Sequence, residues 1–337
     1  MRPATGSMSN GGNGRNGGDR AWAAAMTIGA IALCVLPFVA NDYLVGTGLT
    51  LLMWLALTQS WCVLSKMTGY VSLGHVVFYG LGAYLVVVSW QQVPLVLAVL
   101  AAGVLAAAFA ALVGLPVLRV RGPYFVILTF GLAELVKYSI MAAESASGTA
   151  SRILFGTPDI MVVYFAMFVL ALLATLLLTL VSRSRFGQGL RSLRENEEAA
   201  ETLGVPVVRF KLIAFVLSAA IPGMVGAVMA LRSTYFVVGG VFDPMISITV
   251  IAMAILGGGD NARGPVLGVV FLFAVQELLW TQAPLLYMII LGIILITFVV
   301  VLPNGIVGWA EARGRKRRLA TLSSSDRSAD GQAERPR

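Results

Sequence analysis

The chain has 337 residues, 58% of them hydrophobic and only 12% charged, against about 25% charged in an ordinary soluble domain, and its mean hydropathy is +0.87. That balance excludes a soluble globule. The two cysteines, Cys34 and Cys62, and the one histidine, His75, are too few for a disulfide framework or a Cys/His zinc cage, and the net charge of +8 is better explained by topology than by a nucleic-acid partner, of which none is expected.

Residues 1–20 are rich in Gly and Asn and lack the apolar run and cleavage site of a removed signal peptide. They read as a disordered tail. Residues 21–309 read as a membrane domain, because a hydrocarbon core of about 30 Å takes roughly 20 apolar residues per helix. Apolar runs between polar or Pro/Gly punctuation give ten segments: 21–40, 44–65, 71–90, 95–118, 124–143, 159–181, 211–231, 236–257, 265–280 and 284–302. The expected fold is all-α, a polytopic integral membrane protein of about ten transmembrane helices. Residues 310–337 open with a basic run from Arg313 to Arg318 and read as a second disordered tail. Ten spans leave both termini on one side. Of the 24 Lys and Arg residues, 21 then share the side of the termini, Arg152 and Arg232 lie opposite, and Lys137 falls inside a span. The positive-inside rule makes the crowded side cytoplasmic.

Glycines interrupt the apolar pattern at Gly69–Tyr84 and again at Leu256–Gly268, in opposite halves of the chain. Such paired interruptions point to an internal repeat whose broken helices line a path, since freed backbone survives at membrane depth only where protein or water satisfies it. Close helix packing through small residues is the plain alternative and accounts for Ala219-x-x-x-Gly223 and Gly226-x-x-x-Ala230. The glycines at 257–259 fit a simple turn equally well. His75 follows Gly74, where a neutral imidazole can bond a freed carbonyl or a substrate group. Within the spans, Glu134 and Lys137 lie three apart and can neutralise one another, whereas Glu277 has no local basic partner.

The loop 182–210 is expected to carry its own helix. Ser192 followed by Glu195 fits a capping box, Glu195, Glu197 and Glu198 suit the first turns, and Gly204 with Pro206 supplies a stop. Leu193, Ala199, Ala200 and Leu203 form a stripe too small for the protein's own core and sized for a partner's groove. A solvated loop helix is an equal reading. The chain has no G-x-x-x-x-G-K-[ST] phosphate loop, no G-x-S-x-G elbow and no H-E-x-x-H pair. A transporter, a channel or a membrane-embedded partner subunit is therefore expected rather than an enzyme.

Four stretches resemble the membrane subunits of bacterial ABC importers for branched-chain amino acids, in particular the M-type subunit of the Liv systems. They are Gly69-Tyr-Val-Ser-Leu-Gly-His75 through Gly-Ala-Tyr84; Arg121-Gly-Pro-Tyr-Phe-Val-Ile-Leu-Thr129; Phe186 to Phe215, with Leu-Arg-x-x-Arg-Glu-Asn-Glu at its centre; and Leu256-Gly-Gly-Gly259 with Arg263-Gly-Pro-Val-Leu-Gly268. The resemblance implies a permease in the bacterial inner membrane with both termini cytoplasmic. It also implies a second homologous permease subunit, ATP-binding subunits that consume the ATP, and an extracytoplasmic binding protein; this chain would bind no cofactor itself. The segment after Phe186 corresponds to the part that seats in the ATPase. Leu193, Ala199 and Ala200 would then form the docking face, Glu195 the cap, Gly204 the helix end, and Arg191 and Arg194 polar contacts. Ser72, Gly74, His75, Tyr124 and Glu134 are the expected path residues for a small-molecule substrate. Relatives carry a Thr-Gly-Gly type turn after the fifth span where this chain has Glu144 to Ile153, which leaves branched-chain amino acids, urea, amides and aromatic acids open as substrates. An ion-coupled secondary transporter using Glu134, Glu277 or His75 is the rival class.

Overall fold

A computed structural model describes residues 13–148, 151–258 and 262–282, with the single positions 289, 292, 293, 296, 305, 307 and 308 beyond them. Apart from those positions the tenth segment lies outside the described residues, as does the C-terminal tail. The chain divides into two compact units, Met1–Leu49 and Thr50–Arg337. In the first, α1 (Asn13–Val39) starts inside the stretch read as a disordered tail, because adding turns to an existing helix costs far less than nucleating one. Asn41 Oδ1 then accepts from Leu44 N at 3.2 Å and starts α2 (Asp42–Thr68).

The second unit continues with α3 (His75–Ser89), α4 (Leu95–Val117), α5 (Pro123–Ala146), β1 (Arg152–Ile153), α6 (Ile160–Arg183), α7 (Arg185–Glu195) and α8 (Glu197–Thr202). There follow α9 (Val207–Ala230), β2 (Tyr235–Phe236), α10 (Val238–Val241), α11 (Pro244–Gly257) and α12 (Arg263–Gln282). Among the described residues six stretches are long and apolar enough to cross a membrane, namely α2, α4, α5, α6, α9 and α10 together with α11. The chain is a helical, multi-pass membrane protein.

Two of the ten segments, 71–90 and 236–257, are broken. In the third, helix begins only at His75. In the eighth, the chain stops being helical after Val241 and restarts where Asp243 Oδ1 accepts from Met245 N at 2.9 Å and Pro244 fills the first position, an arrangement that favours a helix start.

At the centre of this unit, α9 lies against both α3 and α4. The approach is possible only without side chains: a Cβ on Gly226 would stand 1.9 Å from Tyr79 O, and one on Gly82 1.9 Å from Gly223 O. In lipid, where apolar burial gives helices no preference for one another, such close contact is what holds them together. The small-residue motif on the seventh segment is thus a weld between helices. At the far end of α6 and α9 from α7 and α8, β1 and β2 pair antiparallel, Arg152 opposite Phe236 and Ile153 opposite Tyr235.

Candidate functional site

The α7–α8 segment is built differently from the single capped helix that its sequence suggests. Ser184, not Ser192, caps α7: its Oγ accepts from Gly187 N at 3.0 Å, while Ser192 sits inside the helix with its Oγ donating to Gly189 O. The chain then breaks at Asn196 (φ −159°), whose Oδ1 accepts from Ala199 N at 3.1 Å and starts α8. Glu195 therefore ends a helix instead of completing a cap, and its carboxylate meets Arg194 at 3.4 Å. Gly204 ends α8 as expected, with φ +86° and Val205 N returning to Ala200 O at 3.0 Å, the geometry for which glycine is favoured.

The apolar stripe also splits. Leu193 and Ala200 are buried against the chain's own body, Ala199 is exposed, and Leu203 is 82% exposed. Arg191 is half-buried. Arg194 reaches inward: its Nη1 donates to Lys66 O at 3.0 Å, and its stem lies over Gly69, where a Cβ would come 3.1 Å from Arg194 Cγ. Lys66 in turn donates through Nζ to Gly258 O at the end of α11.

Glu197 anchors α8. Its Oε1 takes Lys211 Nζ at 2.7 Å and Arg121 Nη2 at 3.2 Å, and its Oε2 accepts from Tyr70 OH at 2.9 Å. The Lys211 ammonium also donates to Tyr70 OH at 2.7 Å and stands 4.2 Å above that ring, which meets Phe125 edge-on. Lys211 is only 2% exposed and Glu197 16%. Burial alone would raise the Glu197 carboxyl, but hydrogen bonds from Lys211 and Tyr70 and the charges of Lys211 and Arg121 outweigh it and hold the group below the usual carboxylate range. Burial, with the Glu197 carboxylate beside it, pushes the Tyr70 phenol up. Beside this network a cleft of about 720 Å³ opens between Tyr70, Arg121, Val126, Arg194 and Glu198.

Four residues that hold α8 in place, Tyr70, Arg121, Glu197 and Lys211, are absent from the sequence-derived site. All four lie in the motif stretches, but Tyr70 and Lys211 are 141 positions apart, and no local spacing joins them.

The expected path residues fall into three places. Ser72, Gly74 and His75 stand together at the start of α3, all buried. The non-helical backbone before α3 is satisfied by protein: Gly74 N donates to Ser72 Oγ at 3.2 Å, Leu73 N to Thr129 Oγ1 at 3.2 Å and Val76 N to Ser247 Oγ at 3.1 Å. Trp61 Nε1 donates to Ser72 O at 2.9 Å. A Cβ on Gly74 would press on Thr129 at 3.3 Å. His75 Nε2 meets Ser218 Oγ at 3.3 Å, and the same hydroxyl reaches Phe215 O at 2.9 Å. Tyr124 is apart from this group and 73% exposed. Glu134 is on α5, paired with Lys137 at 3.4 Å.

At the opposite end, the divergent loop after α5 is held by its own ion pair. Glu144 is buried and accepts Arg152 Nη2 at 2.7 Å, Arg152 Nε at 3.1 Å and Tyr84 OH at 2.7 Å. Trp90 Nε1 and Gln91 Nε2 both donate to Phe155 O.

Residues 44–299 match the family described as branched-chain amino acid transport system, permease component. Among curated proteins, the chain is 27% identical to the high-affinity branched-chain amino acid transport system permease protein LivM of Escherichia coli, over 74% of this chain and 67% of the relative. It is 27% identical to a probable branched-chain amino acid transport permease protein, LivH, of Methanocaldococcus jannaschii, over 55% and 62% of the two chains. It is 34% identical to the L-arabinose transport system permease protein AraH of Escherichia coli, over 36% and 39%. The matches span about two thirds of the length of the Liv relatives. No solved structure matches. A match over three quarters of the chain, on a helical body where three of the four motif stretches meet at the turn before α3 and at α8, places this protein in the branched-chain amino acid ABC permease family.

Proposed function

We propose that this chain is the permease subunit of an inner-membrane ABC importer for branched-chain or other hydrophobic amino acids, fed by an external binding protein, paired with a second permease and driven by separate ATPase subunits. The ATPase presses on α7 and α8. The observation that carries this reading is the Glu197 network, because one carboxylate joins the exposed α8 to the turn before α3, the turn before α5 and the second turn of α9. A push on α8 therefore reaches three membrane helices through charged hydrogen bonds, the strongest kind available to side chains. Ala199 and Leu203, one turn apart and exposed, with Glu195 and Glu198 beside them, form the outward docking face. Leu193, Ala200 and Arg194 support it from behind.

The substrate class follows the Liv relatives; the partial match to an arabinose permease supports a sugar as the second reading. Replacing the exposed Ala199 and Leu203 by aspartate, which leaves Glu197 and its partners in place, is expected to abolish co-purification of the ATPase while the chain still accumulates in the membrane. Retained ATPase would overturn the docking. Uptake that survives collapse of the proton gradient and stops when cellular ATP is exhausted separates this reading from an ion-coupled transporter.

A further inference from the structure

The three least buried of the six apolar spans, α4, α5 and α6, differ in their chemistry. The exposed faces of α4 and α6 suit lipid: α4 carries no charged residue, and α6 carries only Arg183, at its end. Among the six apolar spans α5 is the least buried of all, yet Glu134 and Lys137 stand at its middle, about 17 Å from Pro123 and about 14 Å from Ala146 along the axis, too deep for a side chain to reach either surface. Their side chains are 24% and 17% exposed. The buried stripe of α5 runs through Phe125, Thr129, Ala133 and Val136, so the pair lies beside it, towards the open face with Ile127, Leu135 and Tyr138. On that same face Gly131 leaves open space where a side chain would stand. Charges at this depth face protein or water, not hydrocarbon.

Resting on the permease reading above, we propose that the open face of α5 lines the translocation path and that Glu134 and Lys137 receive the two charged ends of a zwitterionic α-amino acid. The pair is made within one helix and is long, at 3.4 Å, so a solute can open it. An amino acid carries its ammonium and carboxylate on one carbon, so the same solute offers a cation to Glu134 and an anion to Lys137. Four charges stay paired two by two before, during and after passage. A solute with a single charge leaves one member of the pair uncompensated at low dielectric, where that is most costly. The apolar side chain of the solute meets Ile127 and Tyr138, with the gap at Gly131 giving it room.

The test uses the intact complex purified from native membranes and reconstituted with internal ATP, its binding protein and radiolabelled leucine. Glu134→Gln and Lys137→Met are each expected to lower leucine uptake at least tenfold, as is the double variant, which leaves no unpaired charge and so accumulates and retains its ATPase. Exchanging the charges, Glu134→Lys with Lys137→Glu, is expected to recover uptake to within about threefold of wild type, since both ends of the zwitterion again find partners. Wild-type uptake by the neutral double variant, or an exchange no better than that variant, overturns the pair's role and leaves the permease reading standing. A wild-type complex without an ATPase, or one that takes up urea or acetamide and not leucine, overturns the permease or amino-acid reading itself and this proposal with it.

Discussion

Among the described residues are two glutamate–lysine pairs that sequence statistics would treat alike and that the fold uses in opposite ways. Glu197 and Lys211 come from separate helices, meet at 2.7 Å and share Tyr70 and Arg121. Glu134 and Lys137 come from neighbouring turns of one helix and meet at 3.4 Å, with the Tyr138 ring 5.4 Å from the ammonium. A pair drawn from distant parts of the chain closes the fold, and removing either member strands a buried charge. A pair within one turn closes nothing, so its charges remain usable by something that passes.

The sharpest way to break this contrast is Glu197→Ala. It leaves the Lys211 ammonium, almost fully buried, without its carboxylate, and loss of one partner of a buried pair costs about 3–5 kcal/mol. The detergent-solubilised protein is expected to show a strongly lowered unfolding midpoint and rapid proteolysis between Asn196 and Gly204, and Glu197→Gln combined with Lys211→Met is expected to recover much of the loss. A Glu197→Ala variant as stable as wild type would show that Tyr70 and Arg121 suffice. Acid offers a graded version of the same experiment. Because the folded Glu197 carboxyl is held below its ordinary range, its contribution is complete above about pH 4.3, the unperturbed glutamate value, and is lost as pH falls through the lowered folded value. Hydrogen exchange of residues 197–203 is expected to accelerate only below that pH; acceleration between pH 7 and 5 would contradict the assignment.

The contrast also shows which parts of the structure sequence could reach. Hydropathy finds α2, α4, α5, α6 and α9 because each is a local run of apolar residues, and Gly204 announces the end of α8 because a left-handed residue is a local requirement. The capping-box rule selects Ser192 where Ser184 and Asn196 do the capping, since three side chains of similar propensity stand in one loop and tertiary contact decides among them: Leu190 and Leu193 are buried, which fixes the phase of α7, and Glu197 fixes that of α8. The break at Asp243–Pro244 is written in the sequence as an Asp cap before a Pro, and the apolar residues around it hide it. Ser72, Gly74 and His75 are legible as the place where a helix is interrupted, but that their polar groups turn towards Trp61, Thr129 and Ser218 needs the fold.

A smaller effect sharpens the picture at α7. Ser184→Ala removes the hydroxyl that accepts from Gly187 N, and loss of such a cap costs about 1 kcal/mol. Faster exchange is expected in the first turn of α7, with α8 unchanged because its own cap is Asn196. Spread of the effect into α8 would mean that the two helices unfold as one across the break at Asn196.

The smallest expected effect is the most discriminating. Neutralising Glu134 and Lys137 together leaves no stranded charge, and replacing a whole pair is often close to neutral for stability, so the unfolding midpoint should move by less than the equivalent of about 1 kcal/mol. The same double replacement at 197 and 211 leaves Tyr70 and Arg121 a single amide oxygen in place of a carboxylate and should cost more. If the α5 double variant proves the less stable of the two, the pair on α5 is a structural tie to a neighbouring element, and its charges are then already committed to the fold; if it is nearly silent in stability, the cost of keeping two charges in the middle of a span has to be offset by a task outside the folded chain.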